Sequence, residues 1–181
     1  MGKAPVFWFT GLSGAGKTTI AQGVKARLAA QGRRVLILDG DDVRKRLHVD
    51  LGFAPGDIRR NNALIAQLCQ EQRAAHDVIF VPIISPYLES RASARRLLSP
   101  GFYELYFCAD LDTVVRRDTK GFYAKAERGE MDNMIGFSPG AVYESPERPD
   151  LTIDSGKESI EASTENFFGF VDKALKAGHH A

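Results

Sequence analysis

Residues Gly11-Leu12-Ser13-Gly14-Ala15-Gly16-Lys17-Thr18 spell G-x-x-x-x-G-K-T, and the apolar run Val6-Phe7-Trp8-Phe9 stands directly before them. Few short patterns constrain a fold as tightly, because this one requires a buried strand ahead of it and a helix behind it. The strand is expected to end at Thr10 and the helix to begin at Lys17. The glycines let backbone N–H groups turn inward around an anion without Cβ obstruction. The helix N-terminus adds about half a positive charge. Lys17 is placed to reach the β- and γ-phosphates of a nucleoside triphosphate, and the Thr18 hydroxyl to sit on Mg²⁺.

The rest of the chain supplies what that loop needs. Ile20, Ala21, Val24 and Leu28 recur at helical spacing, and Gly32 is the expected stop. Val35–Leu38 and Val78–Val81 read as short buried strands, Tyr103–Cys108 as a fourth and Leu151–Ile153 as a weak fifth. Between them, helices are expected over Asp42–Leu47, from an Asp57 cap to Ala75, over Glu89–Leu98 and over Leu111–Arg117, with Ile160–Lys176 closing the chain. In the long helix, Ala63, Leu64, Leu68 and Cys69 are expected to face inward. Such alternation implies a parallel sheet covered on both faces. The stretch Phe122–Pro149 is rich in Gly, Pro and charge and has few core residues, the composition of a mobile lid.

In open α/β sheets, ligands bind beyond the carboxyl ends of the strands, and each strand here ends in a polar signature. The second gives Asp39-Gly40-Asp41-Asp42-Val43-Arg44, the third Ile84-Ser85-Pro86-Tyr87, and the fourth leads through Asp110 to Arg116-Arg117-Asp118-Thr119-Lys120-Gly121. An aspartate after the second strand can cap the next helix. Opposite a phosphate loop, Asp41 is better explained as a group that orients a hydroxyl or accepts its proton. Arg44, one turn later, would offer a fork of donors to an anion. Arg116 and Arg117 begin the lid-like stretch, where mobile cations can meet a transferring phosphoryl group, and the sequence does not choose between them.

Taken together and in this order, these segments resemble the adenosine 5′-phosphosulfate (APS) kinase family. That family carries a phosphate loop, L-D-G-D-x-V/I/L-R, G-F-S, I-S-P-Y and R-D-x-K-G-x-Y-x-K-A. This chain has Leu38–Arg44, Gly52-Phe53-Ala54, Ile84–Tyr87 and Arg117–Ala126 in their places, a resemblance running from residue 6 to 154. The resemblance implies an α/β P-loop NTPase fold: a parallel sheet of about five strands, helices on both faces and a mobile lid over about 117–149, all in one domain. It implies ATP and Mg²⁺ as cofactors and transfer of the γ-phosphoryl to the 3′-hydroxyl of APS, giving PAPS for sulfate assimilation. ATP would lie on Gly11, Ser13, Gly14, Ala15, Gly16, Lys17, Thr18 and Thr19, with Arg116 or Arg117 above it. Asp41, Arg44, Phe53, Asn61, Ile84 and Ser85 would line the acceptor site, with Phe53 stacked on adenine and Lys120 over both nucleotides. Family members commonly dimerise, so a homodimer is the implied assembly. Ser85 occupies the place often assigned to a phosphoserine intermediate. Its own segment holds no base to activate it, and in-line transfer needs no covalent step, so Ser85 is also read as a substrate hydrogen-bonder or turn former.

The chain departs from the family after Phe53. Where relatives read D-R-x-x-N-I/V-R-R, it reads Asp57-Ile58-Arg59-Arg60-Asn61-Asn62-Ala63-Leu64, so an acceptor-binding arginine is replaced by Ile58. Arg59 lies about 100° further around the helix and is the nearest candidate substitute. The lid segment Ile135–Glu144 replaces a shorter T-G-I/V-x-x-P-Y-E. A kinase for another anionic nucleotide, such as one bearing a phosphoramidate, and an ATP-binding regulator that transfers nothing therefore stay open. Other classes are excluded more simply. A net charge of +1 gives no broad basic surface for nucleic acid. No stretch approaches the roughly 18 apolar residues of a membrane span. Met1–Pro5 runs straight into the first strand, leaving no room for a signal peptide, and the Gly178–Ala181 tail is too short for a metal site. Cys69 and Cys108 fit no metal spacing and read as buried reduced thiols, in keeping with a cytoplasmic protein.

Overall fold

A computed structural model describes residues 3–46 and 50–177. Met1 and Gly2, Leu47 at the end of the expected second helix, and the Gly178–Ala181 tail lie outside the described residues. Five strands, β1 (Val6–Thr10), β2 (Val35–Ile37), β3 (Val78–Val81), β4 (Phe102–Phe107) and β5 (Leu151–Ile153), form one parallel sheet in the order β2-β3-β1-β4-β5. β1 is central, with Trp8 opposite Val81 on one side and Glu104 on the other.

Alternation along β1 divides the core. Phe7 and Phe9 point into a cluster with α1 (Lys17–Ala30) and α7 (Ile160–Ala177); Val6 and Trp8 point into another with α3 (Pro55–Gln72) and α4 (Leu88–Leu98). Helices thus cover both faces, as the alternation of elements implied. The first cluster is aromatic: Phe9 stacks on Phe107 with centroids 4.8 Å apart and meets Phe167 edge-on at 5.2 Å. At the end of α1, Gly32 and Arg33 donate to the carbonyls of Ala29 and Leu28, the Schellman arrangement that a glycine at this point permits.

Two expectations for α3 need correction. It begins at Pro55, one turn ahead of where an Asp57 cap would start it. Proline at the first helical position lacks only an N–H that would go unused there. Its inward face is Ile58, Asn61, Asn62, Ile65, Ala66 and Cys69, while Ala63 is exposed and Leu64 and Leu68 are half-buried. Two buried asparagines on that face displaced the stripe that apolar residues alone suggested. Cys108 is half-buried and only Cys69 is fully enclosed.

The remaining helices are α2 (Gly40–Arg46), α5 (Leu111–Arg117) and α6 (Phe122–Glu127). Asp110 caps α5 by accepting from the Thr113 amide at 2.7 Å. The stretch from 117 to 149 carries α6 and holds more core than its composition suggested, since Tyr123, Met134 and Ile135 are all buried. The Tyr123 hydroxyl donates to the Ser13 carbonyl at 3.1 Å, and burial pushes its pKa up to about 12.

Candidate active site

The ends of β1, β2 and β3 and the 117–135 stretch enclose a cleft of about 510 Å³. Along its floor the phosphate loop leaves β1 and enters α1 through Gly16, whose φ of 79° makes the left-handed turn. Gly11 has no room for a side chain, because a Cβ there would lie 2.6 Å from the Phe107 carbonyl oxygen. The first glycine is therefore required by how closely β4 approaches the loop.

Ser13, Gly14, Ala15, Gly16, Lys17, Thr18 and Thr19 all line the cleft. Gly11 sits behind it, and its carbonyl accepts from Lys17 Nζ at 2.9 Å; the Leu12 carbonyl accepts at 2.6 Å. Lys17 is only 7% exposed in this cradle. Burial drives its pKa down from 10.5 to about 7, the Lys120 charge acts in the same direction, and Asp39 and Asp41 act against both.

Asp39 is the other of the two carboxylates flanking Gly40, for which sequence reasoning offered a role in binding Mg²⁺ through water. One of its carboxylate oxygens accepts from the Thr18 hydroxyl at 2.7 Å and the other from the Asp41 amide at 3.0 Å. It thereby caps α2 and ties the end of β2 to the first turn of α1. A hydroxyl and a carboxylate oxygen side by side next to a phosphate loop are hard oxygen donors suited to Mg²⁺, which takes few protein ligands and keeps waters and phosphate oxygens. No group of three or more His, Cys, Asp or Glu side chains placed to hold a metal exists among the described residues. The D-G-D spacing at a strand end was the available signal for Asp39.

Because Asp39 performs the capping, Asp41 is released for other work. Its carboxylate pairs with Lys120 Nζ across the cleft, and both side chains are partly exposed. Of the two arginines, Arg117 lines the cleft and donates to the Ser155 carbonyl at 2.8 Å. Arg116 turns aside to Thr113 Oγ1 at 3.1 Å and is not part of the lining.

At the far end the wall is formed by Arg44, Phe53, Ile58, Asn61, Asn62, Ile84 and Ser85. Arg44 is already engaged: it donates to the Leu51 and Gly52 carbonyls at 3.0 and 2.5 Å and lies 4.6 Å from the Phe53 ring centroid. It shapes the loop that presents Phe53, which is 51% exposed at the rim. Ile58 is buried against Tyr87 and Ile135. Arg59, expected to compensate for it, lies outside the cleft lining; it stacks 4.4 Å from the Tyr87 centroid and faces Glu89 at 3.8 Å. The 100° step along α3 carries it onto the outer surface.

Ser85 is 2% exposed and holds a φ of 43°, in the left-handed region that favours glycine. The turn is fixed from three sides. Arg91, itself 1% exposed, donates to the Ser85 carbonyl at 2.7 Å, to Glu104 at 2.7 Å and to the Glu144 carbonyl at 2.7 Å. Thr10 Oγ1 reaches the Ser85 carbonyl at 3.1 Å and the Tyr143 hydroxyl at 2.8 Å. Glu144 accepts from the Leu88 amide at 2.6 Å. Nothing local in the sequence marks Arg91, on a helix of eleven residues, as buried.

Residues 3–154 match the profile of the adenylylsulphate kinase family. A probable adenylyl-sulfate kinase of Bacillus subtilis is 38% identical over 174 residues, covering 96% of this chain and 87% of that one. The adenylyl-sulfate kinase of Halothermothrix orenii is 42% identical over 94% of this chain and 91% of its own. Among solved structures, a Mycobacterium tuberculosis APS kinase in complex with AMPPNP and APS has a TM-score of 0.89 at 32% identity, over 95% of this chain and 99% of that one. A Sinorhizobium meliloti gluconokinase, 11% identical with a TM-score of 0.64, shares the fold alone.

Proposed function

The chain belongs to the adenylylsulphate kinase family, and from that premise we infer that it transfers the γ-phosphoryl group of ATP to the 3′-hydroxyl of APS, forming PAPS for sulfate assimilation. One observation carries the residue-level reading. A single cleft runs from the phosphate loop to the Phe53–Asn61–Ile84 wall, with Asp41 and Lys120 between its two ends. Phosphoryl transfer requires donor and acceptor in line, so the groups at the middle of such a cleft meet the reacting atoms.

Ser13–Thr19 hold the triphosphate through backbone N–H groups, and Lys17 leaves the Gly11 and Leu12 carbonyls to contact the β- and γ-phosphates. Thr18 and Asp39 would hold Mg²⁺, whose charge would offset that of the phosphate oxygens. Asp41 orients the 3′-hydroxyl and takes up its proton. Lys120, paired with Asp41 in the empty cleft, moves onto the transferring group, and Arg117 supports it from the same segment. Residues 117–149 act as the lid that excludes water. Phe53 stacks on the adenine of the acceptor, backed by Arg44. The assembly is a homodimer and the setting cytoplasmic; no described helix is long and apolar enough to cross a membrane.

Ile58 in the acceptor wall favours one alternative, a nucleotide whose 5′ group needs fewer cationic contacts than a phosphosulfate. Incubation with γ-labelled ATP and a panel containing APS, AMP and other nucleotide 5′ derivatives tests both. APS is expected to be the best acceptor by kcat/KM. Transfer to another nucleotide in preference to APS would replace the first reading by the second, and ATP consumption independent of any acceptor would overturn both.

A further inference from the structure

Asn62 is a buried polar side chain of the acceptor wall that neither the catalytic reading nor the family pattern accounts for. In the family's D-R-x-x-N-I/V-R-R segment this position is apolar, whereas here an amide is 3% exposed and donates through Nδ2 to Ser85 Oγ at 3.1 Å. The same oxygen accepts from Trp8 Nε1 at 2.9 Å. An indole N–H can only donate, and a hydroxyl oxygen has two lone pairs and one proton. The two donors therefore occupy both acceptor positions of Ser85. Its proton remains, in a side chain that lines the cleft. The carbonyl of the same residue is held by Arg91 and Thr10, so the backbone cannot turn the hydroxyl elsewhere.

We propose that Asn62 is a positioning residue: with Trp8 it fixes Ser85 as a hydrogen-bond donor aimed at an oxygen of the acceptor nucleotide, and by occupying the Ser85 lone pairs it keeps that hydroxyl from acting as a nucleophile. The proposal rests on the acceptor-nucleotide reading above. A nucleophilic serine needs a free lone pair directed at phosphorus and a base to take its proton. Both Ser85 lone pairs already face donors, so neither is free for phosphorus. Where a wall arginine is replaced by Ile58, an oriented neutral donor supplies part of the contact to the acceptor without adding charge to an apolar patch.

The test is a cycle of Ser85→Ala, Asn62→Ala and the double variant, with Asn62→Asp as a nearly isosteric probe that keeps the packing. Ser85→Ala is expected to raise the acceptor KM about tenfold, the loss of one hydrogen bond to a charged group, and to leave the ATP KM unchanged. Asn62→Ala should raise it several-fold alone and add nothing in the Ser85→Ala background, since its effect passes through Ser85. Asn62→Asp places a carboxylate against Ser85 that draws the proton away from the cleft. Its acceptor KM should be high at neutral pH and fall as acid protonates the carboxylate, which loss of packing would not reproduce. Trp8, the single tryptophan, reads the Ser85 oxygen in the empty enzyme, so its emission should change with Asn62→Asp. Unchanged emission, additive effects in the cycle, or stoichiometric labelling of Ser85 from γ-labelled ATP would overturn the proposal. A wild-type enzyme that ignores APS but uses another panel nucleotide would instead overturn the APS assignment, and the cycle is then read on that nucleotide.

Discussion

Replacing Lys17 by methionine isolates a single charge in the phosphate cradle. In the empty protein Lys17 is enclosed and its pKa falls to about 7, against 10.5 in the unfolded chain. Between those values the unfolded chain carries a proton that the folded chain has released, so stability must rise with pH across that window. The full slope is about 1.4 kcal/mol per pH unit, roughly 5 kcal/mol over the whole interval. For a protein of this size that is about 3 °C in Tm per pH unit. Methionine keeps most of the stem and loses the charge, so Lys17→Met should remove this slope and be the more stable of the two empty proteins at pH 7. Denaturant midpoints at pH 7.5 and 8.5 measure it, and taking the difference between variants cancels every other titrating group. Bound phosphates restore the charge, so ATP binding at pH 8 should take up close to one proton in wild type and far less in Lys17→Met. Calorimetry in two buffers of different ionisation enthalpy reads that uptake. Parallel pH slopes, or binding heats independent of buffer in wild type, would refute the account.

Three further outcomes follow from the cleft. Asp41→Asn should lower kcat by about 10² to 10⁴-fold with little change in the ATP KM or in Tm, because Asp39 caps α2; a variant that loses stability instead would return the cap to Asp41. Arg59→Ala should leave the acceptor KM within about twofold, since its partners Tyr87 and Glu89 lie outside the cleft, whereas Arg44→Ala should raise it about tenfold by releasing the Leu51–Phe53 loop; steady-state kinetics with ATP saturating separates the two. Arg91→Met should cost up to about 3–5 kcal/mol in urea, because it leaves Glu104 buried with only Arg95, 3.5 Å away, as its counter-charge, and Arg91→Met with Glu104→Leu should recover much of that; equal losses in both would mean the pair itself is not the cause.

Much of this was legible locally. The phosphate loop, the Gly32 stop and the strand at Val78–Val81 each declare themselves within a few residues, because sterics and periodicity act over that range. The start of α3 was legible too, in Pro55, which outweighs Asp57 as a signal. What could not be read locally depends on distant partners. Lys17 is buried because the cradle it spans supplies two carbonyls; Tyr123 is buried because its hydroxyl reaches Ser13. Arg59 fell on the wrong side because a 100° step on a helix decides between cleft and surface, and sequence alone does not fix the helix's rotation to that precision. Asn62 was hidden for the opposite reason, and Asn61 came only through the family resemblance: polar residues on an inward face reveal themselves only once the cleft they face is known.

The sheet order has a consequence for how the protein is made. β1 precedes both of its neighbours, β3 and β4, in synthesis, yet lies between them in the finished sheet. A nascent chain thus carries Phe7, Trp8 and Phe9 without their covering strands until residue 107 has cleared the ribosome, an interval when such surface favours aggregation. The Phe107 carbonyl against Gly11 then closes the back of the phosphate loop. The segment most exposed to aggregation is therefore β1, and a growing chain can acquire its nucleotide cradle only after β4 has been translated.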